Sequence, residues 1–180
     1  MTIFQLLDTI TIILLKNGVI DLKEKTCCFT GHRALLKDKL SSISNCLEKT
    51  IIKYINEGYR YFGSGGALGF DTLAAETIIQ LKERYPYIKL ILVLPCISQT
   101  KGWMESDIRK YNNIKLHADK IVYVSKEYTK DCMFKRNRHL VNYSSLCICY
   151  LDKTFGGTAY TVNHAKKNNL KIENIANNDV

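Results

Sequence analysis

Residues 63–71, with the sequence GSGGALGFD, form the segment of this chain best suited to bind an anion. They follow a short apolar run at residues 59–62 and lead into a helical pattern that continues to residue 84. A glycine-rich turn between a strand and a helix exposes backbone N–H groups at the positive end of the helix dipole, where they can bind phosphate. No Lys-Ser or Lys-Thr pair follows, so the segment is not a Walker A loop, and glycines also serve turns that bind nothing.

A second glycine-bearing helix start lies at residues 155–158, where Gly156 and Gly157 precede Thr158. The hydroxyl of Thr158 could cap the helix or contact a phosphate. Two such helix starts in one chain favour an anion site more strongly than either does alone.

Charged side chains accompany both glycine segments. In the segment of residues 30–33, Gly31 permits a tight turn, His32 can titrate near neutrality, and Arg33 can offer a planar guanidinium to phosphate or carboxylate. The alternative is a surface arginine and a histidine that is satisfied within a turn. Asp71, in the opening turns of the helix after the first glycine loop, could accept hydrogen bonds from ribose hydroxyls or simply be stabilised by the helix dipole.

Two further groups of residues lie near predicted strand ends. Pro95 and Gln99 follow the third strand, and Trp103 begins the next helix, where it could stack on a base. Arg136 and Asn137 lie together on a later helix, and Asn137 is polar on an otherwise apolar face. This pair either reads a ligand or bridges backbone groups, because a buried amide needs partners.

The composition limits the possible partners and cofactors. The chain of 180 residues has 26 basic and 17 acidic side chains, a formal net charge of +9, which favours an anionic partner. One local basic cluster spans residues 126–138 and is either a solvated helix face or an anion or nucleic-acid contact. Seven cysteines at scattered positions indicate a reducing, cytoplasmic setting without disulfides, and we expect no metal and no other cofactor.

The elements that must position these residues alternate along the chain from residue 25 onward. Apolar strands are predicted at residues 26–30, 59–62, 88–94, 120–124, 146–151 and 170–172. Helices are predicted at residues 34–57, 67–84, 103–117, 131–144 and 158–168. This alternation predicts an α/β fold, a three-layer Rossmann-like sandwich with a mainly parallel sheet. Ligands of such sheets bind at the carboxyl ends of the strands, where the strand order reverses.

Residues 1–24 are predicted to be a helical extension of a single domain at residues 25–180. Apolar residues recur at helical spacing up to Leu14, Thr2 and Gln5 could form a capping box, and Asn17-Gly18 would end the helix. The stretch is too short for a membrane span and lacks the features of a signal peptide, so we expect no membrane contact. We expect the helix to pack on the domain or on a second subunit of a homo-oligomer.

Taken in order, the motifs resemble the YpsA-like branch of the SLOG superfamily, named for its Smf/DprA and LOG members. They are CFTGHR at residues 28–33, GGALGFD at 65–71, LPC at 94–96 with Gln99 and Trp103, RN at 136–137 and GGT at 156–158. The resemblance covers about residues 25–173 and implies a Rossmann-like sheet with a pocket for a nucleotide or nucleotide-derived ligand. The pocket residues that it implies are Gly31, Arg33, Gly65, Gly66, Asp71, Arg136, Asn137, Gly157 and Thr158.

The chain departs from its relatives in two places. LOG-type phosphoribohydrolases carry a glutamate in the motif P-G-G-x-G-T-x-x-E, and residues 155–163 lack it. The YpsA-like pattern usually has aspartates near Asn142 and Ser145, which are absent here. The missing glutamate removes the motif's candidate catalytic group.

Three functions remain open. The first is non-catalytic binding of an NAD- or ADP-ribose-type ligand or a cyclic nucleotide, as sensor, regulator or sink. The second is a nucleotide hydrolase or N-glycosidase, with Asp71 as carboxylate and His32 as proton carrier. The third is single-stranded DNA binding of the DprA type, which favours aromatic residues interleaved with basic ones; we interpret the basic cluster as lacking them. The candidate ligand-binding residues are Gly31, His32, Arg33, Gly63, Ser64, Gly65, Gly66, Asp71, Pro95, Gln99, Trp103, Arg136, Asn137, Gly156, Gly157 and Thr158.

Overall fold

The computed structural model describes residues 12–15 and 18–178, with side chains from residue 22 to residue 176. The strands are β1 (Ile12–Leu15), β2 (Gly18–Asp21), β3 (Thr26–Gly31), β4 (Tyr61–Ser64), β5 (Lys89–Leu94), β6 (Lys120–Tyr123), β7 (Leu146–Tyr150) and β8 (Lys171–Asn174). The helices are α1 (Leu40–Asn56), α2 (Phe70–Leu81), α3 (Glu105–His117), α4 (Cys132–Asn142) and α5 (Gly157–Lys167). Short 3-10 turns cover Leu22–Lys25, Lys37–Lys39 and Ile175–Asn178.

Six of these strands form one parallel sheet in the order β6-β5-β4-β3-β7-β8. The chain starts this sheet at β3, moves outward through β4, β5 and β6, and then returns to the other side of β3 with β7. The strand order therefore reverses between β3 and β7, whose ends lie side by side with Gly31 opposite Tyr150. In an open α/β sheet this is the place where a ligand-binding crevice forms.

Alternate residues of β3 face two separate apolar layers, because successive side chains of a strand point to opposite faces. Cys27 and Phe29 join a core covered by α1, α2 and α3, whereas Cys28 joins a second core covered by α4 and α5. Burying each large apolar side chain contributes about 1.5–3 kcal/mol. The two cores hold the helix starts against the carboxyl edge of the sheet.

The predicted fold class, a three-layer Rossmann-like sandwich, is confirmed, and all six strands and five helices expected from residue 25 onward are present. The largest shift in a strand is at β4, predicted at residues 59–62 and found at Tyr61–Ser64. The glycine and serine that we assigned to the loop pair in register with β5, as Gly63 with Ile91 and Ser64 with Leu92. These two small residues therefore belong to the sheet, and the turn begins at Gly65.

The predicted amino-terminal helix is wrong for Ile12–Leu15, which form β1 and pair antiparallel with β2. Gly18, which we interpreted as part of the end of a helix, is the first residue of β2 and lies opposite Leu15. The β-branched Ile12 and Ile13 add to the strand preference. Residues 1–11, which carry the rest of the predicted helix, lie outside the described residues, and the division of domains after residue 24 stays a prediction.

Candidate functional site

A cavity of about 270 Å³ opens at the carboxyl edge of the sheet, beside the end of β3. The starts of α2 and α5 and one face of α4 complete its walls. The lining residues are Phe29, Thr30, Gly31, His32, Arg33, Ala67, Asp71, Met133, Arg136, Asn137, Leu140, Gly157 and Thr158. Because α2 and α5 both begin here, their dipoles favour a negative group in the cavity.

A buried ion pair forms one wall of this cavity. Nη1 of Arg136 lies 3.2 Å from Oδ2 of Asp71, and both side chains are less than a tenth exposed. The backbone N–H of Ala67 donates to the same oxygen at 3.4 Å. Burial raises the pKa of Asp71 above its usual range, although Arg136 and the loop amides offset part of the increase. Burial also lowers the pKa of Arg136. The ordinary pKa of an arginine is so high that the guanidinium nevertheless stays charged.

The glycine loop is shaped around this ion pair. A Cβ at Gly65 would lie 1.4 Å from Nη1 of Arg136 and 2.8 Å from Oδ2 of Asp71, so no other residue fits without displacing the pair. Gly66 has a φ of +62°, which only glycine adopts readily. The first glycines of the loop therefore serve the protein's own charged groups.

Hydrogen bonds within the protein use the amides on which phosphate was predicted to lie. The N–H of Gly66 donates to Oγ of Ser64 at 3.2 Å, and the N–H of Phe70 donates to the carbonyl of His32 at 3.1 Å. With the N–H of Ala67 directed at Asp71, three amides of this segment are already paired. These three amides therefore have acceptors within the protein, and a phosphate site on this loop stays a prediction.

The start of α5 is open by contrast. A Cβ at Gly157 would have no heavy atom within 4 Å, and Gly157 does not have a positive φ. Neither packing nor backbone geometry requires glycine at this position, which lines the cavity. The first N–H groups of a helix have no acceptor within the helix, so those at the start of α5 can bind a ligand.

Two arginines add positive charge to the cavity. Nε of Arg136 is buried and has no hydrogen-bond partner among the described residues. A buried donor without a partner costs about 1–3 kcal/mol, which a bound acceptor would recover. Arg33 is exposed and lines the same cavity.

His32 connects the ends of β3 and β7. Its Nε2 lies 2.7 Å from Oδ1 of Asp152, and its ring meets Tyr150 edge-on with centroids 6.2 Å apart. Asp152 is not among the predicted site residues, although it lies two residues after the end of β7, at the edge where ligands bind. The contacts with Asp152 and Tyr150 fix the imidazole against one wall of the cavity.

Half of the predicted ligand-binding residues line the cavity, namely Gly31, His32, Arg33, Asp71, Arg136, Asn137, Gly157 and Thr158. The others do not line it: Gly63, Ser64, Gly65, Gly66, Pro95, Gln99, Trp103 and Gly156. The amide of Gln99 donates to the carbonyls of Gly65 and Gly66 at 3.2 and 2.9 Å, so it supports the loop from behind.

Trp103 packs on the core rather than in the cavity. Its ring meets the ring of Tyr111 edge-on at 5.6 Å, which gives the indole a packing role. The residues that the predicted set lacked are mostly apolar: Phe29, Thr30, Ala67, Met133 and Leu140. Periodicity identifies such residues as core, so only the fold reveals that they also line a cavity.

No helix among the described residues is long and apolar enough to cross a membrane. Within the same residues, no group of three His, Cys, Asp or Glu side chains is arranged to hold a metal ion.

Comparison with known proteins places these features in a family. Residues 27–179 match the model of YpsA, described as the YspA SLOG family. A UPF0398 protein of Halalkalibacterium halodurans is 31% identical over 131 residues, which cover 71% of this chain and 69% of the relative.

Two solved structures share the fold at lower sequence identity. DNA processing protein A (DprA) of Streptococcus pneumoniae has a TM-score of 0.60 at 19% identity, and the match covers 84% of this chain but only 50% of that protein. The single-stranded-DNA-binding DprA of Helicobacter pylori has a TM-score of 0.58 at 17% identity, covering 84% of this chain and 65% of that protein.

Proposed function

This chain belongs to the YspA SLOG family, and on that premise we propose that its cavity binds a nucleotide or nucleotide-derived signal without converting it. The ligand classes are NAD- or ADP-ribose-type molecules and cyclic nucleotides, bound by a sensor, regulator or sink. The observation that carries the proposal is the buried Arg136, which lines the cavity together with the start of α5 and whose Nε lacks a hydrogen-bond partner among the described residues.

The cavity has suitable groups for the two parts of a nucleotide. A phosphate at the start of α5 would receive N–H donors beside Gly157 and charge from Arg33. The apolar side chains of Phe29, Met133 and Leu140 offer contact for a base or sugar face. Methionine adapts its shape to the group that it contacts.

The residues near the expected phosphate support binding over hydrolysis. The segment that follows Thr158 lacks the LOG-type glutamate. Asp71, the remaining carboxylate that lines the cavity, is held by Arg136 and by the N–H of Ala67. Both donors contact Oδ2 of Asp71, so this oxygen is not available to accept a proton from a substrate.

Isothermal titration against NAD, ADP-ribose, cyclic AMP, cyclic GMP and the nucleoside mono- and diphosphates tests the proposal. We expect a dissociation constant in the micromolar range for at least one ligand, and recovery of that ligand intact by mass spectrometry after long incubation. Arg33→Gln should weaken binding about tenfold, whereas Arg109→Gln, an exposed arginine of α3 outside the cavity, should leave it unchanged. Absence of binding at high micromolar ligand would refute the proposal, and a converted ligand would favour the hydrolase.

Single-stranded DNA binding is a second candidate, and the interpretation that its basic cluster lacks aromatic residues is wrong. Tyr128 and Phe134 lie within residues 126–138 and are 65% and 43% exposed. The ring of Phe134 meets the ring of Tyr160 at 4.8 Å, and Nη1 of Arg138 donates to the hydroxyl of Tyr160 at 3.3 Å. Exposed aromatic rings among basic groups are what single-strand binding uses.

A salt series with oligo(dT) tests this second candidate. We expect the affinity to fall steeply as salt rises, because bound phosphates release counterions. Phe134→Ala should weaken binding about tenfold if a base stacks on the ring, which corresponds to roughly 1–3 kcal/mol per stacked base. An affinity that is independent of salt would rule this candidate out.

A further inference from the structure

The carboxylate of Asp71 takes the position that an anion would occupy on the glycine loop. Its Oδ2 accepts hydrogen bonds from Nη1 of Arg136 at 3.2 Å and from the N–H of Ala67 at 3.4 Å. Gly65 has no side chain that would block these contacts. A negative group held by loop amides and a guanidinium is the arrangement that the loop would offer to a phosphate. The chain thus supplies this anion itself.

The other helix start in the cavity contains no such internal anion. Gly157 has open space at its Cβ position, and the neighbouring Thr158 also lines the cavity. On the facing helix α4, the Nε of Arg136 is buried without a partner among the described residues. Among the described residues, the start of α5 is therefore the more open of the two glycine helix starts.

We propose that the cavity accepts a ligand with one phosphate group and discriminates against a ligand with a diphosphate, an inference that rests on the proposed function. A first phosphate binds at the start of α5. A second phosphate directed toward α2 meets the negative Asp71 instead of free amides, and one directed outward lies in solvent. The cavity of about 270 Å³ is also at the small end for a ligand site. The geometry favours nucleoside monophosphates and cyclic nucleotides over NAD and ADP-ribose.

Titration of wild-type protein with ligands grouped by phosphate number tests this inference. The one-phosphate group is AMP, GMP, CMP, UMP, cyclic AMP and cyclic GMP; the diphosphate group is ADP, GDP, CDP, UDP, ADP-ribose and NAD. We expect the tightest binder to have one phosphate, and its affinity to exceed that of the diphosphate with the same base about tenfold. A diphosphate that binds as tightly as its one-phosphate counterpart, or more tightly, overturns the inference.

Asp71→Asn tests the stated cause. Removing the charge should bring the affinities for the one-phosphate ligand and for the diphosphate with the same base within about threefold of one another, mainly because the diphosphate binds more tightly. Glu76→Gln is the matched control, because it removes a carboxylate from the same helix at a position that does not line the cavity, and it should keep the wild-type ratio. If Asp71→Asn folds and the ratio stays at the wild-type value, the inference is wrong. If the variant fails to fold, the wild-type ratio alone decides.

The result separates this inference from the proposed function. If a diphosphate binds more tightly than its one-phosphate counterpart, the inference is refuted but the proposal of nucleotide binding is not. If no ligand of either group binds, the proposed function and this inference are both refuted.

Discussion

The charged side chains at the carboxyl edge of the sheet differ in their immediate contacts. Asp71 and one end of Arg136 hold each other and the glycine loop in place. Arg33 is exposed, and the buried Nε of Arg136 has no hydrogen-bond partner within the part of the chain that the structure describes. The two glycines differ in the same way. A side chain at Gly65 would collide with Arg136, whereas a Cβ at Gly157 would meet no heavy atom of the described residues within 4 Å.

Gly65→Ala should destabilise the fold. Its Cβ would lie 1.4 Å from Nη1 of Arg136, so the ion pair must move within a closely packed region. We expect a loss of about 1–3 kcal/mol in the free energy of unfolding, the usual cost of overpacking. Urea denaturation followed by circular dichroism measures it, and an unchanged midpoint would show that the loop relaxes freely.

Gly157→Ala should have the opposite profile. The added methyl group meets no heavy atom within 4 Å and the position does not have a positive φ, so the free energy of unfolding should stay the same or rise by about 0.4–1 kcal/mol. Binding of the tightest nucleotide should fall about tenfold, because the methyl group fills space next to the helix amides. Unchanged binding in a stable Gly157→Ala protein would contradict a ligand at the start of α5.

At the scale of elements, polar contacts attach the edge strand β8 to helix α1. The carboxylate of Glu173 accepts hydrogen bonds from the hydroxyl of Tyr54 at 2.5 Å and from Nζ of Lys53 at 3.0 Å. These bonds, that from Tyr54 foremost, hold the pKa of Glu173 below its usual value of 4.5. The contact fixes the edge of the sheet, and none of its three residues lines the cavity.

This lowered pKa predicts how stability depends on pH. Glu173 stabilises the fold fully above its ordinary pKa of 4.5, and the contribution is lost as the pH falls through the lower pKa of the folded state. Glu173→Gln should therefore cost about 1 kcal/mol at pH 7 and show a weaker loss of stability on acidification. Denaturant titrations of both proteins between neutral and acidic pH measure the difference. Parallel pH curves would contradict the assignment.

At the scale of the whole molecule, the six-stranded sheet and its helices form the unit that carries the cavity, and the hairpin of β1 and β2 is a separate two-stranded sheet. Residues 22–25 belong to the larger unit. The hydroxyl of Thr26 donates to the carbonyl of Leu22 at 2.7 Å, and the hydroxyl of Ser145 donates to the carbonyl of Glu24 at 3.2 Å. We therefore expect the boundary relevant to stability to precede Leu22.

Truncation tests this boundary. Removal of residues 1–21 should change the free energy of unfolding by less than about 1 kcal/mol, because an isolated two-stranded hairpin adds little stability. Removal of residues 1–25 should cost more, since it also deletes the contacts of Leu22 and Glu24 and the bond from the N–H of Arg60 to the carbonyl of Lys25. Equal stability of the two truncated proteins would place the boundary later. A large loss in the shorter truncation would show that residues 1–21 support the fold.

The sequence alone was sufficient for the alternation of strands and helices, the fold class and the edge of the sheet where Gly31, Asp71, Arg136 and Gly157 come together. Apolar periodicity and glycine helix starts are local properties, and the parallel sheet follows from them through the handedness and connection rules of α/β folds. At residues 12–15 the local signals for helix and hairpin competed, and apolar spacing favoured the wrong one.

Only the tertiary structure decided which of two similar glycine loops is open. Both segments place amides at a helix start, but in the first one the Ser64 hydroxyl accepts from the N–H of Gly66 and the Asp71 carboxylate accepts from the N–H of Ala67, over two and four residues. Arg136 arrives from a helix 65 residues later. The N–H of Phe70 has its acceptor at His32, just beyond β3, so the contacts with His32 and Arg136 depend on residues distant along the chain and no local pattern of glycines could determine them.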